Sequence, residues 1–140
     1  MTINMSGKWS GQYTYGDSYP EGFKGKSVDF WLICIDSDGS ISGTFTDEET
    51  KDVFNEPGTF RGFIEDDFTS FIKTYPCYWD MDENGSIRVL EDFLSPEIHY
   101  TGHIKDGLFE GIWEMTVAFE FEDGHIEQYD RDGTWSMFRI

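Results

Sequence analysis

The residues best able to bind a ligand through charge lie in the acidic segment 80–91. Oxygen-bearing side chains recur there at close intervals: Asp80, Asp82, Asn84 and Glu91. Their spacing matches the calcium loop of an EF-hand, in which such side chains surround one hard cation. Pro76, however, lies too close for the helix that precedes such a loop, and Arg88 adds a positive charge inside it. The segment therefore predicts either a calcium site or, as the favoured interpretation, an acidic hairpin turn without a cofactor.

Catalytic groups in recognisable arrangements are scarce in the rest of the chain. The histidines, His99, His103 and His125, lack the spacing of a metal site, and no nucleophile elbow, phosphate loop or Cys-x-x-Cys pair occurs. Two acids stand nearest to apolar surroundings. We expect Asp29 to face solvent, and Asp47 is the next candidate if it points inward. The sequence thus predicts a binding protein rather than an enzyme.

Aromatic side chains are abundant enough to enclose a ligand, at 18% of the residues. From Phe109 to Phe121, including Phe119, every second side chain is apolar or glycine, and acids recur at the positions between. A period of two is typical of a β-strand with one face in the core and one in water. The same pattern elsewhere predicts an inward-facing set of candidate ligand-binding residues: Trp9, Tyr13, Tyr15, Phe45, Phe71, Tyr100, Trp113, Met115 and Trp135.

These residues belong to about eight predicted strands joined mostly by short turns. The strands cover residues 6–16, 27–35, 40–45, 58–64, 68–75, 100–104, 109–121 and 134–140, and a turn at 122–124 leads into residues 125–129 before the last of them. A bulge or turn is expected at 130–133, and the irregular segment 78–97 predicts either an extra hairpin about Asn84 or a short helix at 89–94. Closely linked strands pair as an antiparallel meander, and eight can close on themselves. We therefore expect an all-β fold, an eight-stranded antiparallel up-and-down β-barrel, with residues 1–140 as a single domain.

Short motifs at both ends of the chain carry a family resemblance. Gly7-Lys8-Trp9 in the first strand, together with Arg139 in the last, resembles the signature of the calycins, which include lipocalins, fatty-acid-binding proteins and avidins. The resemblance implies a barrel whose closed end is sealed by Arg139 lying over the Trp9 ring. A guanidinium group stacks well on indole, so this arrangement is physically sound.

Among the calycins, the spacing is most similar to that of the avidins. Similar stretches are 42–46, 100–103 and the position of Trp113. The residues that would contact biotin are replaced: Gly11, Tyr15, Phe45, Asp47, Ile72 and Trp135 stand at or near those positions. Each missing hydrogen bond to the ligand costs about 1–3 kcal/mol, so we expect no biotin binding. The haem-binding nitrobindin-like barrels also open with Gly-x-Trp-x-Gly, but no histidine follows His125 to bind the haem iron.

Charge limits the partners that the protein can have. The net charge of −18 repels nucleic acid and anionic membranes. No signal segment or membrane span is recognisable, and Cys34 and Cys77 are too few for a disulfide framework, so we expect a cytoplasmic protein. Apolar Trp31 and Ile33 on the outer face of the second strand point to a homodimer contact.

The expected function is the binding of a small hydrophobic or aromatic molecule inside the barrel. Eight strands make a barrel whose interior is either filled by side chains or just wide enough for one small ligand, and the sequence leaves both open. One alternative is an acidic interaction module, an inhibitor or immunity-type protein that docks a basic partner. The other is a calcium-binding β protein that uses the 80–91 segment.

Overall fold

The computed structural model describes residues 2–82 and 84–140, with the exception of the Phe119 side chain. Within these residues, the chain forms ten β-strands. They are β1 (Gly7–Tyr15), β2 (Ser27–Ser37), β3 (Ser40–Asp47), β4 (Gly58–Glu65), β5 (Phe68–Thr74), β6 (Tyr78–Met81), β7 (Ile87–Leu90), β8 (Ile98–Lys105), β9 (Leu108–Glu120) and β10 (Ile126–Arg139). In the described part of the chain, no helix has the length and apolarity needed to cross a membrane.

Eight of the strands close into a barrel. Their order around the barrel is β1-β10-β9-β8-β5-β4-β3-β2, and β6 and β7 pair separately as a two-stranded sheet. Every neighbouring pair is antiparallel, including β1 with β10, which joins the two ends of the chain. The predicted fold class, an eight-stranded antiparallel up-and-down barrel, is confirmed.

Alternation along the strands builds the interior, as the sequence predicts. On β9, the side chains of Phe109, Trp113 and Val117 are buried, whereas Ile112 on the opposite face is 56% exposed. Phe121 does not follow the pattern, because it lies beyond the end of the strand and is exposed. The predicted inward direction of Phe119 falls on a side chain outside the described part of the structure.

The last strand is continuous, so the predicted bulge or turn at 130–133 is wrong. Pairing of β10 with β9 runs without an inserted residue from Ile126 opposite Glu120 to Phe138 opposite Leu108. The partner strand β9 continues past this segment and offers a ladder partner to each of its residues, which overrides the turn-forming composition. Gly133 fits here for a packing reason, since a Cβ atom at this position would lie 2.0 Å from the carbonyl oxygen of Thr14.

The irregular segment between β5 and β8 contains the extra hairpin, and the predicted short helix at 89–94 is wrong. Tyr78 pairs with Leu90, and Asp80 pairs with Arg88. This pairing keeps residues 89 and 90 extended, although the helix was predicted to begin there. The hairpin of β6 and β7 lies at the barrel end where β1, β3, β5 and β9 finish, which we call the open end.

The opposite end, the closed end, is sealed by the N-terminal segment. The Arg139 guanidinium lies 4.9 Å from the centre of the Trp9 ring, and it donates a hydrogen bond to the carbonyl oxygen of Asn4. The Trp9 indole donates to the carbonyl oxygen of Met5 at 2.9 Å, and Met5 itself is fully buried. These contacts tie the first residues of the chain to the last strand.

Arg139→Ala should lower the free energy of unfolding by about 1–2 kcal/mol, because it removes a cation–π contact and a charged hydrogen bond to Asn4. Urea unfolding measures the change. Arg61→Ala is the matched control, since Arg61 is an exposed arginine on β4, and it should change stability by less than about 0.5 kcal/mol. Equal losses in the two variants would show that Arg139 does not seal this end.

Candidate ligand-binding site

A cavity of about 250 Å³ occupies the open end of the barrel. Its walls come from the ends of β1, β8, β9 and β10, from β6, and from the loop between β1 and β2. The lining is mostly aromatic and includes Tyr13, Tyr15, Tyr19, Phe23, Tyr75, Tyr78, Trp79, Tyr100, Trp113 and Tyr129. Aromatic walls with a few polar groups are typical of small-molecule sites.

The structure divides the nine predicted ligand-binding residues into two groups. Five of them line the cavity: Tyr13, Tyr15, Tyr100, Trp113 and Met115. The other four, Trp9, Phe45, Phe71 and Trp135, do not line it and are buried in the core. In the closed half, the ring of Phe71 stacks 5.0 Å from that of Tyr100 and meets that of Trp135 at 5.6 Å. The barrel is therefore filled in its closed half and hollow at its open end.

A buried lysine lies where the two halves meet, and the sequence analysis missed it. Lys73 on β5 is 1% exposed, and its Nζ atom lies 3.7 Å from the centre of the Phe30 ring and 4.3 Å from that of Tyr100. Nζ also donates to the Tyr100 hydroxyl at 3.2 Å. Burial lowers the pKa of Lys73 to about 7, and the charge of Asp47 opposes this shift.

Asp47, at the end of β3, is fully buried and anchors the loop between β3 and β4. One carboxylate oxygen accepts hydrogen bonds from the backbone amide and the hydroxyl of Thr50, both at 2.8 Å. The other accepts from the Tyr75 hydroxyl at 2.6 Å. Asp47 is thus the inward-pointing acid that the sequence analysis considered, and its contacts give it a structural role.

The same loop places a second carboxylate against the cavity wall. The hydroxyls of Tyr13 and Tyr15 both donate to Oε1 of Glu49, the former at 2.6 Å. Glu49 Oε2 is buried and has no hydrogen-bond partner among the described residues. Burial, reinforced by the neighbouring negative charges, raises the pKa of both tyrosines, so both hydroxyls keep their protons.

Part of this polar cluster was readable in the sequence. Thr69, Phe71 and Lys73 alternate on β5, so the pattern that placed Phe71 inside also places Lys73 inside. Glu49 lies in a loop, where alternation gives no direction. Its role depends on how the loop folds back onto Tyr13 and Tyr15, and no local motif indicates that.

Arg131 lies at the rim of the cavity, and its guanidinium already contacts neighbouring residues. The guanidinium of Arg131 lies 5.2 Å from the ring of Tyr19 and 4.5 Å from that of Tyr129. It also donates to the carbonyl oxygen of Ser18 at 3.0 Å. Arg131 therefore holds the β1–β2 loop against β10 at the edge of the opening.

The segment that suggested calcium forms the hairpin instead of an open ligand set. Arg88 donates two hydrogen bonds to the carboxylate of Asp80, at 2.6 and 3.0 Å. The Asp82 carboxylate accepts hydrogen bonds from the backbone amides of Asn84 and Ser86, which closes the turn. Glu91 is exposed and lies beyond the end of β7. In residues 2–82 and 84–140, no group of three or more histidine, cysteine or acidic side chains is placed to hold a metal ion. Calcium binding stays a prediction from the sequence.

Comparisons with known proteins add a distant structural likeness. No family model matches the chain, and no curated protein matches it. Among solved structures, the chain is similar to the crystal structure of rhizavidin, with 17% sequence identity over 94% of this chain and 83% of that one, at a TM-score of 0.44. The barrel assignment rests on the strand pairing described above, and the candidate site rests on its own geometry.

Proposed function

We propose that the protein binds one small, largely aromatic or apolar molecule in the cavity at the open end, without transforming it. The cavity itself carries this proposal, because it is hollow in a barrel whose other half is tightly filled. Packed protein interiors rarely leave voids larger than a few water molecules. A space of about 250 Å³ with an opening to solvent is therefore better explained by ligand binding than by incomplete packing of the core.

The size of the cavity limits the ligand. A cavity of roughly 150 Å³ already accommodates benzene, and drug-sized molecules occupy roughly 300–1,000 Å³. At about 250 Å³, the cavity suits a molecule of one or two rings. Trp79 and Trp113 among the lining residues offer flat faces for such rings and also report on binding.

Titration with indole and naphthalene tests this proposal. We expect saturable binding of one molecule per chain, with dissociation constants of about 0.01–1 mM for ligands of this size. Calorimetry gives both the affinity and the stoichiometry, because both compounds are themselves fluorescent and mask tryptophan emission. If neither compound binds at its solubility limit, the proposed function is wrong.

Met115→Trp should weaken the binding of indole at least about tenfold, because the larger side chain fills the cavity that Met115 lines. Met115→Leu is the matched control and should change affinity less than about threefold, since the two side chains have similar volumes. Calorimetry is the readout, because the added tryptophan alters the fluorescence. Unchanged affinity in Met115→Trp would place the ligand elsewhere.

A further inference from the structure

We infer that the preferred ligand of this cavity is a small aromatic molecule with a cationic nitrogen group, such as an amidinium or an ammonium. The inference rests on the proposed function and adds the charge of the ligand. It starts from the direction of the hydrogen bonds that surround the cavity.

The tyrosine hydroxyls of the cavity have already used their protons. Tyr13 and Tyr15 donate to Glu49, and Tyr75 donates to Asp47. A hydroxyl has one proton to donate and two lone pairs that accept. All three tyrosines line the cavity, and their hydroxyls can only accept a hydrogen bond from a ligand. A ligand with several N–H donors satisfies these oxygens, whereas a ligand with acceptors only does not.

The charged groups behind the hydroxyls also favour a cationic ligand. Behind the hydroxyls lie two acidic side chains, those of Asp47 and Glu49, and one basic side chain, that of Lys73. Lys73 lies among the rings of Phe30, Phe45 and Tyr100 and does not line the cavity. Glu49 Oε2, buried and without a partner among the described residues, leaves negative charge uncompensated beside the tyrosine pair. A cation in the cavity would compensate it.

The aromatic wall adds a further attraction for a cation. The ring of Tyr15 lies 4.6 Å from that of Tyr19 and 6.2 Å from that of Trp113, centre to centre, in edge-to-face arrangements. Such a set presents ring faces in several directions, and a desolvated cation over a tryptophan or tyrosine face is strongly attracted. The net charge of −18 attracts small cations to the protein as a whole.

Several groups at the cavity act in the opposite direction, including Tyr19 and Trp79, which line it and carry a hydroxyl and an indole N–H that can donate. The guanidinium of Arg131 is at the rim, where it stacks on Tyr19 and Tyr129 and is bound to the carbonyl oxygen of Ser18. Tyr100 accepts from Lys73 and keeps its own proton, so it is one donor among the acceptors. A neutral amide, with both donors and an acceptor, is therefore the competitor that the experiment has to include.

Three compounds of the same shape separate the charge of the ligand from its size. Benzamidine is cationic, benzamide is neutral and benzoate is anionic at pH 7. In calorimetry with the unmodified protein, we expect benzamidine to bind at least about tenfold more tightly than benzamide, and benzoate to bind least. Equal or tighter binding of benzamide or benzoate would overturn the inference and leave the proposed function standing. If none of the three binds and indole does not bind either, both fail.

Glu49→Gln tests the source of the preference. Glutamine keeps an oxygen that accepts from Tyr13 and Tyr15 but removes the charge, so we expect benzamidine affinity to fall about tenfold and benzamide affinity to change less than about threefold. Glu48→Gln is the matched control, because Glu48 is one residue away, carries the same charge and is paired at 3.1 Å with Lys51 on the surface. It should change neither affinity more than about threefold. A similar loss for both ligands in Glu49→Gln would contradict the inference, and the comparison of the three compounds does not depend on how this variant folds.

Discussion

Asp47→Ala should lower the free energy of unfolding by about 3–5 kcal/mol, the largest effect that we expect from removing one polar side chain. The substitution leaves the backbone amide and hydroxyl of Thr50 and the hydroxyl of Tyr75 without their acceptor. Each buried donor that loses its partner costs about 1–3 kcal/mol. Asp47 is fully buried, so water does not replace the lost acceptor without opening the β3–β4 loop. Chemical unfolding in urea measures the loss.

Two further variants make this result specific. Asp47→Asn retains one acceptor oxygen and should recover part of the lost stability. Asp52→Ala removes an exposed carboxylate from the same loop and should change stability by less than about 0.5 kcal/mol. A loss in Asp47→Ala no greater than that in Asp52→Ala would show that the loop is not held by this carboxylate.

Lys73→Met should remove a pH dependence of stability that the natural protein shows. Burial lowers the pKa of Lys73 from 10.5 to about 7 in the folded protein. Between these values the unfolded chain binds a proton that the folded protein does not, so the free energy of unfolding rises as the pH rises. From pH 7 to 9.5 this contribution amounts to about 3 kcal/mol. Relative to Lys73→Met, the natural protein should therefore gain about 3 kcal/mol over this interval.

The comparison of the two proteins isolates the lysine. Buried tyrosines and Cys34, whose pKa burial raises, contribute in the opposite direction at alkaline pH, but both proteins contain them, so these contributions cancel in the difference. Lys105→Met, at an exposed position near the end of β8, should follow the natural protein across the whole interval. A constant difference between the natural protein and Lys73→Met would show that Lys73 titrates as it does in the unfolded chain.

The fold was largely predictable because its main determinant is local. Alternation on β9 assigns Phe109, Trp113 and Val117 to one face without any knowledge of their neighbours, and eight strands joined by short turns are enough to close a barrel. The error at 130–133 arose because Asp-Arg-Asp-Gly is turn-like by composition. Only the presence of β9 along its whole length keeps it extended.

The candidate site was predictable in its walls and not in its polar groups. Ring-bearing residues such as Tyr13 and Trp113 are inward by alternation, and Lys73 was within reach of the same rule. The acceptor character of the site depends on Glu49, which reaches Tyr13 across 36 positions of the chain. Such a contact is a property of how loops fold back, and local patterns do not contain it.

Lys73 also bears on the depth of the cavity, because its Nζ atom lies 5.7 Å from the centre of the Tyr13 ring and 4.3 Å from that of Tyr100, two rings of the cavity lining. Its amino group packs against the rings of Phe30, Phe45 and Tyr100, so the space behind the lining residue Tyr100 is already occupied. The Lys73 side chain thus fills space inside the barrel that a ligand would otherwise enter. A ligand is therefore confined to the open end of the barrel, and a shorter side chain at position 73 should extend the cavity toward the closed end.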